Sequence, residues 1–278
     1  MQQEQYLAID DKVEALRDFV SAKPRTALDF EKKFELSWIY HDNALEGIVL
    51  AAPELVQALA GGQVADNSMS AVFAEVLNQR DAIHLIRQEA ANPKLKLSLT
   101  LVKRLYETLG KGVAGKDKAV YRRDMPLHRN YFHDIAPPAK VPDQLQKLID
   151  FCNSSEFREY HAVKQAGVLH YGFMQVFPFT ENSGKLARLM MNLILLRQQY
   201  LPAIIHSIDR QRYYETLRQP NTALRALVME AEENSLDNAV KFFREAREIV
   251  PRSREATSRS REAAPRSREA TPRSRAHR

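Results

Sequence analysis

Phe177-Pro178-Phe179-Thr180-Glu181-Asn182-Ser183-Gly184-Lys185-Leu186-Ala187-Arg188 is the stretch on which the reading of this chain turns. It separates two strongly apolar segments, and its small polar residues open the second. Before it, Ala162, Ala166, Leu169, Phe173 and Val176 recur at steps of three and four, which predicts an amphipathic helix over 161–176. After it, 186–196 is apolar nearly all round, as in a central buried helix. A turn of Asn, Ser and Gly at a helix start presents free backbone N–H groups to an anion. Glu181 offers a carboxylate to a metal, while Lys185 and Arg188, on one helix face, offer cations to phosphate. Arg188 sits on an otherwise apolar helix and needs an anionic partner, because an unpaired buried charge is strongly unfavourable. The bland alternative is a capped helix start with one internal salt bridge.

Outward from this stretch, helical periodicity runs through most of the chain. Residues 8–22 alternate apolar and charged positions up to Lys23-Pro24-Arg25, and Phe30 to Leu45 carries Phe34, Trp38, Ile39 and Leu45 on one face before Glu46-Gly47. Shorter and longer helices are expected over 53–59 and 68–90, the latter with Val72, Val76, Ile83 and Ile86 in phase. Ser98 reads as the N-cap of a helix through Leu101, Leu105 and Leu109 that ends at Gly110. From Gly112 to Pro142 the periodicity fails, and a loop region with a small β-hairpin flap around 119–131 is expected. Helix resumes over 143–153, and two or three more helices follow between Arg210 and Val250.

The net charge of +6 belongs to the end of the chain. From Pro251 onward there are nine arginines and three glutamates, which accounts for the whole excess and leaves the rest balanced. This tail is a tandem heptad, Pro251–Thr257, Ser258–Ala264, Pro265–Thr271 and Pro272–Arg278. No heptad position is filled by large apolar residues, so 251–278 is read as disordered. Nucleic-acid contact is not expected of anything but this basic tail. A single cysteine, Cys152, excludes an internal disulfide framework and a cysteine metal cluster. A polar N-terminus and the lack of a membrane-length apolar run give the expectation of a cytoplasmic protein with no membrane partner.

The central stretch resembles the Fic-family motif His-Pro-Phe-x-(Asp/Glu)-Gly-Asn-Gly-Arg-x-x-Arg, matching it at Pro178, Phe179, Glu181, Gly184 and Arg188. Lys185 stands in for the first Arg. Ala166, His170 and Phe173 fall where Fic proteins carry Ala, His and Phe. Tyr121-Arg122, with Tyr131 and Pro137-Pro138, resembles the family's target-binding flap, and Ile205, Arg210, Tyr213 and Tyr214 resemble its later helix start. Upstream, Tyr40-His41-Asp42-Asn43-Ala44-Leu45-Glu46-Gly47 is similar to the family's inhibitory motif (Ser/Thr)-x-x-x-Glu-(Gly/Asn), with Asp42 at the Ser/Thr position. The resemblance implies an all-α Fic fold with a small β-hairpin flap. It divides the chain into an N-terminal helical part, 1–96, with an inhibitory-type segment at 37–47, a Fic core at 97–220, C-terminal helices at 221–250 and the tail.

What the resemblance implies for chemistry is transfer of AMP from ATP, with Mg2+ at Glu181, to a Ser, Thr or Tyr hydroxyl of a protein target. Asn182, Ser183, Gly184, Lys185 and Arg188 would hold the nucleotide, Glu181 and Lys185 would assist the reaction, and Tyr121 and Arg122 would seat the target. Glu46, with Asp42 beside it, would pair with Arg188 where a γ-phosphate docks and so autoinhibit. The departures bear on activity. Phe177 replaces the family's general-base His and accepts no proton at any pH, a loss worth about 10²–10⁴ in rate. Asn182 replaces a Gly and still tolerates φ > 0. Ser183 replaces an Asn, and Lys185 trades an Arg fork for a point charge. His170 is read as structural, His128 and His133 as surface histidines, and an Asp42–Glu46 pair as a remote candidate base.

The leading expectation is a Fic-type pseudoenzyme that binds ATP or another nucleotide, with usual AMPylation absent or very weak. The alternatives are an enzyme of divergent chemistry on another phosphate-containing or small ligand, and a protein-binding module using the flap. A homo-oligomer is compatible with any of these.

Overall fold

The computed structural model describes residues 2–62, 67–126 and 133–262, and everything described as regular is helical. Helix α1 is Gln2–Ala22 and α2 is Pro24–Leu45. Pro24 opens α2 because a first-turn residue has no intrahelical use for its N–H, so the helix begins earlier than Phe30. Gly47, at φ +89°, stops it in a conformation that costs a glycine little. Then come α3 (Ala52–Leu59), α4 (Asn67–Ala90) and α5 (Leu99–Gly110). The Ser98 hydroxyl caps α5 by accepting from Leu101 N–H at 3.1 Å.

After the irregular 111–137 region, α6 (Val141–Cys152) and the one-turn α7 (Ser155–Arg158) lead into α8 (Ala162–Val176). A six-residue loop, 177–182, joins it to α9 (Ser183–Arg197). The chain closes with α10 (Arg210–Thr216) and α11 (Asn221–Glu262). Helix α9 is the central strut: every residue from Ser183 to Leu195 is buried, and α8, α4 and α5 pack around it. Helix α11 lies across α8 and α1, and α2 packs on α4 and α11. Burying each of the leucines and isoleucines of α9 contributes about 1.5–3 kcal/mol, so this helix fixes the position of the loop that starts it. Among the described residues no helix is long and apolar enough to cross a membrane.

Two expectations are corrected. No strand forms among the described residues of the flap: 119–126 is irregular, and 127–132, with His128 and Tyr131, lies outside the described residues. The reason lies in its backbone partners. Arg122 N–H donates to Pro178 O at 3.0 Å and Ala136 N–H to Gln175 O at 2.8 Å, so these segments bond to α8 and the loop after it rather than to each other. At the other end, α11 does not stop at 250 but continues to Glu262. A helix already running needs no new nucleus, and the Arg, Glu and Ala residues after Pro251 are good helix formers that work against the loss of the hydrogen bond Pro251 removes. Residues 263–278 lie outside the described residues.

Candidate functional site

The loop between α8 and α9 is bracketed by two non-glycine residues in the left-handed region, Phe177 (φ 45°) and Asn182 (φ 57°). Asn adopts that region readily, whereas for a bulky aromatic it is an outlier costing roughly 1–2 kcal/mol. Several contacts hold Phe177 there. Its N–H donates to Phe173 O at 2.8 Å, its carbonyl accepts from Arg122 Nε at 2.7 Å, and its ring is buried with the His133 ring edge-on at 6.3 Å. Phe179 is sandwiched between Tyr106 at 4.1 Å and Tyr121 at 5.5 Å. The Ser183 hydroxyl donates to Phe179 O at 2.7 Å and accepts from Phe179 N–H at 3.0 Å. That hydroxyl is therefore committed to the loop, and what Ser183 can offer an anion is its backbone N–H at the start of α9.

Arg188 faces α2. Its Nε donates to an Asp42 carboxylate oxygen, Nη2 to Glu46 Oε1 at 2.6 Å, and Nη1 to the Tyr213 hydroxyl at 3.3 Å. Burial works against the charge, but Asp42 and then Glu46 more than offset it, and the guanidinium pKa is raised well above its usual value. The Glu46 carboxylate also lies on the first turn of α9: a Cβ built on Gly184 would stand 2.4 Å from Glu46 Oε1. Only a glycine admits a carboxylate that close to the helix start.

A buried polar chain extends from this pair. Gln79 on α4 donates to Asp42, Asn43 donates to Gln79 Oε1 at 2.7 Å, and Lys185 Nζ donates to Asn43 Oδ1 at 2.8 Å. Lys185 also lies 3.5 Å from Glu75, which Lys116 reaches at 2.7 Å. Lys116 stands 3.8 Å from the Glu181 carboxylate. Burial pulls the Lys185 pKa down, opposed by Glu75. Glu75 is itself held low, Lys185 and Lys116 outweighing its burial. Lys116 is placed by a close approach at Gly110, where a Cβ would meet Lys116 O at 1.7 Å.

The structure thus brings Asp42, Glu46, Gly184, Lys185 and Arg188 together, and sets Glu181 at the edge. It does not place Arg122 on an open flap. That side chain is buried, donating to the carbonyls of Ala136, Val176 (3.3 Å), Phe177 (2.7 Å) and Asp124 (3.3 Å). Lys185 points inward to α2 and α4 rather than to the loop. His170 is buried with Nε2 3.0 Å from the Tyr213 hydroxyl, and desolvation, with Arg188 nearby, pushes its pKa down to about 3. His133 is buried as well, not a surface histidine, its Nε2 at 2.8 Å from Met174 O. Sequence reasoning missed Glu75, Gln79, Asn43 and Lys116. The signal available was two polar residues, Glu75 and Gln79, one turn apart on a helix whose neighbours Val76 and Ile83 are core.

The cradle has the chemistry of an anion site. Asn182 Nδ2 is a buried donor with no acceptor among the described residues, and Glu46 shows that a carboxylate fits against Gly184. A metal has less to hold it. Among the described residues no three His, Cys, Asp or Glu side chains gather, and Glu181 is a lone, half-exposed carboxylate. Mg2+ needs only one or two carboxylates when a polyphosphate supplies the other oxygens, so Glu181 suits a metal that arrives with such a ligand.

Residues 96–195 match the Fic/DOC family. Protein adenylyltransferase Fic of Nematostella vectensis is 26% identical over 224 residues, covering 76% of this chain and 50% of the relative. Protein adenylyltransferase fic-1 of Caenorhabditis elegans is 25% identical over 185 residues, covering 66% and 36%. The chain spans half or less of the length of these relatives. In three dimensions it is similar to a Fic domain containing signaling protein from Bacteroides thetaiotaomicron, with TM-score 0.76 and 22% identity over 86% of this chain and 97% of that one. It is also similar to Fic-1 from C. elegans, with TM-score 0.70 and 20% identity over 89% and 73%.

Proposed function

With residues 96–195 a Fic/DOC-family domain, we propose that the start of α9 takes a phosphate of a nucleotide such as ATP, that Glu46 keeps it closed, and that AMP transfer through a general base is absent or very slow. The observation that carries this reading is the Glu46 carboxylate seated against Gly184 and bound to Arg188 at 2.6 Å. A carboxylate there, against the first turn of α9 and on the same guanidinium, occupies the ground a terminal phosphate would take. Asn182 and the N–H groups of Ser183, Gly184 and Lys185 would surround the phosphate, and Arg188 would bind its oxygens once Glu46 leaves. Glu181 would hold Mg2+ brought in with the nucleotide, whose part would be to neutralise phosphate charge. Lys185 acts at one remove, its buried charge matched by Glu75.

Phe177 supplies no base, and neither His170 nor His133 replaces it. His170 is sealed against Tyr213 and His133 is docked on Met174 O. A target hydroxyl arriving at the loop would find a phenyl ring where a proton acceptor is required. The backbone at Phe177 keeps its unusual conformation, so what is lacking is a side chain and not a scaffold.

The test is incubation of the unmodified protein with α-labelled ATP and candidate protein targets. The expected result is no label above a heat-killed control, with transfer rising in a Phe177→His variant only when the anion site has also been opened. Robust labelling by the unmodified protein would overturn the proposal. A Phe177→His variant that loses a native activity without gaining AMP transfer would favour divergent chemistry on another ligand.

A further inference from the structure

Removal of Glu46 does not by itself free Arg188. The guanidinium is held by two carboxylates through different nitrogens: Nη2 meets Glu46, while Nε meets Asp42, one turn earlier on α2, whose carbonyl Nη2 also reaches at 3.4 Å. The two carboxylates differ in exposure. Glu46 keeps 22% of its side-chain surface in contact with solvent, and Asp42 only 3%. A cavity of about 10 Å3, room for one water, is the space beside the Asp42–Arg188 pair, lined by Trp38, Asn192 and Ile204 among others. Asp42 is also fastened from the far side by Gln79, which is in turn held by Asn43. None of these contacts passes through Glu46.

Charge balance points the same way. Within the cluster Asp42 matches Arg188 directly, while Glu75 is shared between Lys185 and Lys116. With Glu46 gone, Arg188 still faces one carboxylate, that of Asp42, and this pair by itself is neutral. An arriving phosphate would meet a guanidinium whose charge is spent on Asp42, and the Asp42 carboxylate would repel it across the width of the same side chain.

We propose that Asp42 is a positioning residue that holds Arg188 independently of Glu46, and that its charge keeps the anion site weak for the terminal phosphate of a nucleoside triphosphate even after Glu46 is removed. The second half rests on the nucleotide reading above; the first half does not. The site is thus fastened twice, once by a carboxylate at its mouth and once by a carboxylate in its floor.

Two measurements on the full chain separate these halves. With 15N-labelled arginine, the Arg188 Nε–H resonance is assigned by its loss in Arg188→Lys. It is expected to stay protected from solvent exchange in Glu46→Gly and to lose that protection in Asp42→Asn with Glu46 intact. In parallel, binding of a non-hydrolysable ATP analogue is titrated. Glu46→Gly is expected within about threefold of the unmodified protein, and Asp42→Asn/Glu46→Gly about tenfold or more tighter than Glu46→Gly. Loss of Nε–H protection in Glu46→Gly, or equal affinity of the single and double variants, overturns the proposal. If the protection follows Asp42 but no variant binds the analogue, the fastening stands and the nucleotide reading falls. Should Asp42→Asn fail to fold, Asp42→Ser replaces it, and the Glu46→Gly spectrum still decides the first half.

Discussion

Arg122 and Arg188 are both buried, and both fall in the parts of the sequence that look most functional, yet their surroundings are opposites. Arg188 is met by carboxylates, Asp42 and Glu46, on an element 142 or more residues away in sequence. Arg122 is met by backbone carbonyls, those of Val176 and Phe177 at the end of α8 and those of Asp124 and Ala136 beside it. Carbonyls at a helix C-terminus favour a cation but do not leave. A carboxylate on a side chain can be displaced by another anion. The contrast teaches that burial of a guanidinium says little about its role until its acceptors are known: Arg122 is welded to main chain, whereas Arg188 is paired with side chains.

The sharpest way to break the contrast is to remove each arginine. Arg122→Ala strands several carbonyls at once and is expected to cost about 3–5 kcal/mol in chemical denaturation, with no single second substitution restoring it. Arg188→Ala leaves two carboxylates unpaired and is expected to cost about 3 kcal/mol, roughly half of it recovered by adding Asp42→Asn/Glu46→Gln. Equal failure to recover in both cases would erase the distinction.

Glu232 supplies the control, a buried carboxyl group with no fastening among the described residues. It is fully buried on α11, and neither carboxylate oxygen has a hydrogen-bond partner among the described residues. Burial raises its pKa well above the usual carboxylate range. The stability tied to a raised carboxylate pKa is present below the unfolded value and lost as pH rises. Glu232→Met is therefore expected to gain about 2 kcal/mol at pH 7 and little at pH 4, read by urea titration at both.

An effect confined to acid pH belongs to His170, beside Arg188. Burial, and secondarily the Arg188 charge, push its pKa down to about 3, whereas the unfolded chain binds that proton near 6.5. Stability tied to the neutral ring is present above that unfolded value and lost as pH falls, by about 1.4 kcal/mol per pH unit through the window. His170→Asn is expected to flatten this part of the curve between pH 6 and 4. An unchanged slope would show that the ring protonates in the fold.

Much of this was legible in the chain before any coordinates. The apolar periodicity of 161–176 and the all-round apolar 186–196 mark α8 and α9, and Ser98 and Gly47 mark the ends they were expected to mark. Arg188 announced its need for a partner, and the likeness at Glu46 supplied one. What stayed hidden depended on long-range pairing. Nothing local shows that Gln79, 37 residues from Asp42, closes the floor of the site. Nothing local turns Lys185 toward Glu75 rather than the loop. Arg122 beside Tyr121 carries an aromatic-and-basic pattern that suits a binding flap, and only the position of the α8 carbonyls shows where its donors go.

Gly184 has a further consequence. Its missing methyl is the space in which Glu46 sits, so the Glu46–Arg188 contact is maintained by an absence. A single added carbon at that position would act as a wedge, driving the carboxylate off the helix start without touching either partner's charge. The contact is therefore steric as well as ionic, and it is most sensitive to change at the smallest residue in it.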